Sequence, residues 1–292
     1  MTEFEEFLQS EINKYEGVNF PRKASFLRRI LCRKVSIKKI HPNPEDEFCD
    51  PKIGPNYGII SNYDSELRHK INMSLTPKFD EPLMVERMYP DGYMLLNGHH
   101  RWAAFCRNQV KSIPVQIVNC THKYEIEKML KNAKHDKRVT LDLDEVIFVN
   151  EADGPAEKPI SFPLARKIYK ERLKYGIPKL FHYLRTNGYD IWVYTSKLYS
   201  MEYILQLLFW YHIKIDGLVT GMSVNRTKKE DHVKTKNAIS KKYPHTIHID
   251  QKMMVSSNSM TKEYEIFNLT GSPDTWSQEI LDIISRLDSE KI

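Results

Sequence analysis

Two aspartates spaced one residue apart, Asp142 and Asp144, stand at the end of an apolar run that includes Val139, Leu141 and Leu143. One carboxylate of such a pair can attack phosphorus to give a covalent aspartyl intermediate while the other shuttles protons. Hard oxygen ligands of this kind also suit magnesium, which needs only one or two carboxylates besides a substrate phosphate. Further along, Thr195 and Ser196 end the apolar segment IWVYTSK, Lys234 and Lys236 sit in the lysine-rich HVKTKNAISKK, and Asp250 ends TIHID. A hydroxyl and a lysine would hold and neutralise a phosphoryl group, and Asp250 would add a metal carboxylate. A second constellation lies in YMLLNGHHRWAAF, where Gly98, His99, His100 and Arg101 follow an apolar strand-like run. Free backbone amides at a helix start, next to a forked guanidinium, favour an anion. His99 and His100 have no His or Cys at metal-ligand spacing, so they are expected to contact phosphate.

These groups need elements to carry them. The alternation through Arg138–Phe148 reads as a strand, with Val146, Ile147, Phe148 and Val149 continuing it, so both aspartates should emerge at its carboxyl edge. In an open α/β sheet, ligands bind at that edge. A helix KLFHYLRTNGYD ends at the C-cap pair Asn187 and Gly188, the strand at Ile191 follows, then the helix-like MEYILQLLFWYHI, and finally the strand TIHID. Between Phe148 and Ile191, EADGPAEKPISF reads as loop and PLARKIYKERLKYGIPKLFHYL as helical, too little for a large cap. Upstream, VSIKKIHPNPED reads as a strand ending in a proline turn and KSIPVQIV as another strand. The N-terminal MTEFEEFLQSEINKY places Phe4, Phe7, Leu8 and Ile12 on one helical face, expected to pack on the body or a partner.

The order Asp142, Asp144, Thr195 or Ser196, lysine, Asp250 resembles the haloacid dehalogenase superfamily of phosphohydrolases, from Lys137 to the C-terminus. The resemblance implies a doubly wound, Rossmann-like α/β domain with a small cap. It makes Asp142 the nucleophile, Asp144 the general acid and base, Thr195 or Ser196 the phosphate-binding hydroxyl, and Asp142, Asp144 and Asp250 the metal site. The family lysine falls on Lys234 or Lys236, with spacing to Asp250 slightly favouring Lys234. Two departures stand out: Glu145 and Val146 follow Asp144 where many members have Gly and Thr or Val, and no further acid follows Asp250 in QKMMVSSNSM.

Val35 to Val118 resembles the ParB and sulfiredoxin-like superfamily, through the Asn43-Pro44 turn, the Gly98-His99-His100-Arg101 box and the Ile-Pro-Val strand. The resemblance implies a smaller α+β domain that binds ATP, CTP or ADP through the box, with Asn43 contributing. The sulfiredoxin cysteine is replaced by His99, which argues against that activity, and the chain runs into the Asp142 strand where partition relatives carry a helix-turn-helix. Glu45, Asp46 and Glu47 are either a kinase base or a solvated acidic turn.

A length of 292 residues allows two domains, and the two resemblances divide the chain into 1–135 and 136–292. With 41% hydrophobic and 28% charged residues the composition is that of a soluble globular protein, and no apolar run spans a bilayer. The acidic, amphipathic N-terminal segment is expected to be neither signal nor anchor, and Cys32, Cys49, Cys106 and Cys120 lack paired short spacings, so a reduced cytoplasmic setting is expected. A net charge of +6, concentrated in FPRKASFLRRILCRKVSIKK and NRTKKEDHVKTKNAISKK, permits a nucleic-acid partner without requiring one. The first cluster also reads as an amphipathic helix with a basic face. The leading expectation is a magnesium-dependent phosphomonoesterase acting on a phosphorylated small molecule or nucleotide. Its rivals are a bifunctional kinase and phosphatase, and a nucleotide-sensing or DNA-associated regulator whose phosphatase domain is inert.

Overall fold

The computed structural model describes residues 3–16, 20–149, 154–221, 229–272 and 274–289. The chain divides into two compact units, one reaching Asn119 and the other beginning at Cys120.

The first unit contains α1 (Glu3–Tyr15), β1 (Phe20–Pro21), α2 (Phe26–Leu31), β2 (Lys34–Ser36), β3 (Ile40–His41), α3 (Tyr57–Asn72), β4 (Leu83–Tyr89), β5 (Tyr93–Asn97), α4 (His99–Arg107) and β6 (Ser112–Val118). Its mixed sheet runs β2-β6-β4-β5-β3, with β1 added on β4. Leu83, Val85 and Leu95 of the central strands are buried with Trp102, Ala103 and Ala104 of α4. Helix α1 packs as its amphipathic pattern predicts: Leu8 is buried, and the rings of Phe4 and Phe7 lie 6.3 and 6.0 Å from Trp102.

Two expectations fail here. The strand read through VSIKKIHPNPED is broken by a 3-10 turn at Ile37–Lys39, and its halves sit at opposite edges of the sheet, β2 on β6 and β3 on β5. The basic amphipathic helix shrinks to α2, whose Leu27 and Leu31 are 65% and 70% exposed. Fewer than two turns cannot present a continuous stripe to a core.

The second unit contains α5 (Lys123–Asn132), β7 (Lys137–Asp142), α6 (Pro163–Ile168), α7 (Ile177–Thr186), β8 (Tyr189–Thr195), α8 (Met201–Trp210), β9 (Gly217–Thr220), α9 (Lys229–Lys242), β10 (His245–Ile249), β11 (Met253–Asn258), β12 (Glu263–Asn268) and α10 (Trp276–Ser289). Its sheet order is β12-β11-β10-β7-β8-β9, in which β10, β7, β8 and β9 are mutually parallel and β11 and β12 form an antiparallel edge. Helices cover both faces. Val139, Leu141, Ile191 and Val193 point into a core shared with α7, α8 and α10. Trp192, one residue out of phase, points the other way to join Ile126 of α5, Val219, Tyr243 and the flank of α9. This opposite phasing follows from the two-residue repeat of a strand.

The division also differs from the 1–135 and 136–292 boundaries read from the sequence. Helix α5 lies in the second unit because Ile126, Met129 and Leu130 cover Trp192 and Val219. Just before it, Thr121 joins the edge of β9, its hydroxyl accepting the Thr220 N–H at 3.0 Å and donating to Leu218 O at 3.1 Å. The long helix read over residues 163–184 is interrupted too. It ends at Ile168, and the chain forms isolated bridges from Leu173 to Phe148 and from Lys174 to Ala156 before α7 begins. Gly176 turns the chain there with φ +85°, where a Cβ would sit 2.1 Å from Ser277 Oγ, and Pro178 follows in the first turn of α7.

Candidate active site

Strand β7 ends at Asp142, and the carboxylate shapes what comes next. Its Oδ1 accepts the backbone N–H groups of Asp144 and Glu145, both at 2.8 Å, and a wide turn over Leu143–Ile147 closes with the Phe148 N–H on Leu143 O at 2.9 Å. The expected continuation of the strand through Val146–Val149 is therefore replaced by a π-type turn. Val146 and Ile147 are fully buried by that turn, so the same apolar run serves the core in another conformation. Oδ2 of Asp142 has no hydrogen-bond partner among the described residues, and Asp142 lines an open cleft.

Asp144 is held by β8 and the residues after it. Thr195 donates from Oγ1 to Asp144 Oδ2 at 2.5 Å, and Lys197 Nζ lies 2.8 Å from Oδ1. Thr195 is itself fixed, since its Oγ1 accepts the Lys197 N–H at 3.0 Å. Ser196, beside it, is exposed. Burial pushes the Tyr199 phenol well above its ordinary range, and the negative charges of Asp144 and Glu171 add to that.

Asp250 follows β10, next to β7 in the sheet, and is exposed at the same carboxyl edge. Its Oδ1 accepts the Gln251 N–H, and Gln251 Nε2 donates to Glu145 O at 2.7 Å, tying the Asp250 loop to the turn after Asp142. Lys174 Nζ also donates to Glu145 O at 2.7 Å. Asp142, Glu145, Asp250 and Lys236 line one cleft of about 700 Å³, which continues along the α9-side face of the sheet past Thr140 and His248 to Arg138. Lys234 is exposed and is not part of that lining. Among the described residues, no group of three or more His, Cys, Asp or Glu side chains is gathered around a single point suited to a metal ion.

The sequence reading placed Asp142, Asp144, Thr195 and Asp250 together, and it missed Lys197, Gln251 and Arg138. Lys197 stood in the quoted IWVYTSK segment, two residues after Thr195, without a role. Gln251 and Arg138 carried no signal of their own.

The second constellation is engaged within the protein. Gly98 caps α4 with φ +96°, and a Cβ there would lie 2.6 Å from Leu83 Cδ2. His99 Nε2 accepts the Asn43 N–H at 3.3 Å while its Nδ1 lies 3.5 Å from Asp46 Oδ1. His100 Nε2 accepts the Asn56 N–H at 3.1 Å. Burial lowers the His100 pKa below 6.5, partly opposed by the charge of Asp46. Arg101, buried, donates to Glu81 O at 2.7 Å and Asn97 Oδ1 at 3.1 Å. Asn43 Oδ1 accepts the Glu45 N–H at 3.1 Å, and Asp46 Oδ1 accepts the Phe48 N–H at 3.1 Å. These contacts hold the Asn43–Pro44 turn against α4, and Asp46 has a structural role there. The four cysteines are free thiols, with burial pushing Cys49 up to about 12 and Cys106 also upward. Among the described residues, no helix is long and apolar enough to cross a membrane.

Residues 62–133 match the ParB N-terminal domain family, a segment that runs from within α3 to the end of α5. Among curated proteins, none matches the chain.

Proposed function

We propose that the second unit is a phosphohydrolase of the haloacid dehalogenase type, working through an aspartyl phosphate on Asp142. One observation carries this reading: three adjacent parallel strands, β10, β7 and β8, deliver Asp250, Asp142 and Thr195 to a single sheet edge, with Asp144 bonded to Thr195. The two backbone N–H groups on Asp142 Oδ1 fix the carboxylate and leave Oδ2 for in-line attack. As the new P–O bond forms, the ester P–O bond breaks and Asp144 gives its proton to the leaving oxygen. Asp144 then takes a proton from water as that water attacks the aspartyl phosphate, releasing inorganic phosphate and restoring Asp142. Thr195 and Lys197 orient Asp144 for both transfers. Lys236 supplies a cation at the cleft, and Ser196 is a neighbouring hydroxyl with no fixed partner among the described residues.

The donor set fits magnesium in a limited way. Asp142 and Asp250 line one cleft and could hold it together with waters and a phosphoryl oxygen, whereas the Asp144 carboxylate is engaged by Thr195 and Lys197. When bound, magnesium would neutralise charge as the anionic substrate meets Asp142. The test is hydrolysis of an aryl phosphate with and without magnesium. Wild type is expected to turn over only with the metal, and Asp142→Asn to lose at least 10³-fold in kcat, on the scale of removing a covalent nucleophile. Equal rates for wild type and Asp142→Asn would end this reading.

A second reading concerns the first unit and rests on the family match: a nucleotide-binding module beside the Gly98 turn. Because His99, His100 and Arg101 already hold protein groups, its ligand would bind through backbone N–H groups or by displacing those contacts. Calorimetric titration of the full chain with ATP and CTP tests it, and the absence of heat with either would remove it.

A further inference from the structure

The cleft that opens at Asp142 and Asp250 has a charged far wall that the phosphoryl chemistry leaves unused. Alternation along β7 sets Arg138, Thr140 and Asp142 on one face, and alternation along β10 sets Thr246, His248 and Asp250 on the same face, in register beside them. All six line the cleft. Arg138 is only 8% exposed. Its Nε donates to Thr246 Oγ1 and its Nη1 to Tyr194 OH, each at 3.0 Å, and its Cζ lies 5.5 Å from the Tyr243 ring and 6.0 Å from the Trp192 ring.

Every one of those partners is neutral. Among the described residues no carboxylate pairs with Arg138, although a buried guanidinium normally has an anionic partner because desolvating an unpaired charge is costly. His248 cannot balance it. Its Nδ1 is bonded to Thr140 Oγ1 at 2.6 Å, and it could only add positive charge. Tyr194 stands opposite Asp142 in the strand register and Thr246 stands opposite Arg138, so a guanidinium that reaches both lies between those two levels. The α-carbons of Arg138 and Asp142 are four strand residues apart, about 13 Å, and the guanidinium is nearer the acid edge than that. A volume of about 700 Å³ accommodates a small metabolite or nucleotide.

We infer that Arg138 is the recognition site for a second anionic group, so that the substrate is a phosphomonoester that also carries a phosphate or carboxylate. The inference rests on the phosphohydrolase reading for which group reacts, but binding at Arg138 can be measured without turnover. Arg138 contacts no reacting atom; it selects the substrate and sets its depth in the cleft.

The test uses the full-length Asp142→Asn protein, titrated calorimetrically with adenosine 5′-monophosphate and with adenosine 3′,5′-bisphosphate. The bisphosphate is expected to bind at least 10-fold more tightly, and adding Arg138→Gln should abolish that preference. Arg138→Lys keeps a charge but loses the fork, and should retain only part of the preference; it serves as the second variant if Arg138→Gln does not fold. Equal affinity for the two probes, or an Arg138 substitution that weakens both alike, overturns the inference. A bisphosphate preference that depends on Arg138 in a protein that hydrolyses no phosphate leaves the site standing and overturns the phosphohydrolase reading. Hydrolysis of aryl phosphate without any bisphosphate preference does the reverse.

Discussion

The ring of His100 accepts the Asn56 N–H at Nε2, so the neutral imidazole is the form the first unit uses. Phe48 lies edge-on 5.1 Å away, and burial holds the pKa below 6.5, with Asp46 pulling partly back. An unfolded chain protonates His100 near 6.5 while the folded one resists. Its stabilising effect is therefore complete above that pH and declines as pH falls through 6.5 toward the lower folded value. Solvent still reaches the ring, so the slope should be well under the ~1.4 kcal/mol per pH unit of one fully coupled proton. Urea midpoints between pH 7.5 and 5 should fall with a shallow slope that His100→Gln reduces, and an unchanged slope would count against the burial account. Thr195 is a different kind of residue, since its hydroxyl both accepts from Lys197 N–H and donates to Asp144. Thr195→Val should lower kcat by about 10- to 100-fold, in the range of a lost positioning contact, and should broaden the acid limb of the pH profile. A profile identical to wild type would show that Asp144 needs no such anchor.

At the level of elements, the deciding events are interruptions. Helix α7 begins only where Gly176 lets the chain turn, and it then buries Leu180, Phe181 and Leu184, each worth roughly 2 kcal/mol as apolar burial. Gly176→Ala would place a methyl group on Ser277 Oγ in a left-handed backbone. The expected cost is about 2–4 kcal/mol, from strain plus overpacking. Chemical denaturation would show it, and Ser277→Gly should recover part of the loss by removing both clashing atoms. The π-type turn after Asp142 is the counterpart at the carboxyl edge of the second sheet. Its closure by Phe148 N–H and its two N–H groups on Asp142 are local, so it forms wherever the strand ends against a buried Val146 and Ile147.

For the whole molecule, the consequence lies in where the second unit starts. A fragment covering 120–292 retains Ile126 against Trp192, Val219 and Tyr243 and keeps Thr121 on the edge of β9. A fragment covering 136–292 strips that face and leaves Trp192 and Val219 wet. The longer fragment should therefore be more stable by several kcal/mol, since Ile126 alone is worth about 2–3 kcal/mol in buried area and cavity terms. Equal denaturation midpoints would show that α5 contributes nothing to this core. The match to the ParB N-terminal domain family ends at residue 133, so that family's segment and the compact unit do not share a boundary.

What the residues determined alone were the apolar cores of three strands and the polar residues that follow them. Apolar runs leading to Asp142, Thr195 and Asp250 mark β7, β8 and β10, because strand composition is a local property, although the run at β7 reads on to Val149 where the strand itself ends at Asp142. The same holds for α1 and for Gly98 opening α4. Only the tertiary structure decided that Val146–Phe148 turn inward, that β2 and β3 lie on opposite edges, and that α5 joins the second unit. It also decided that Lys197 grips Asp144 and that Arg138 lines a cleft with no carboxylate among the described residues paired to it. The turn is closed by local contacts that an apolar run does not reveal; the others depend on which elements lie side by side, and sequence separations of tens to more than a hundred residues leave no local trace of such pairings.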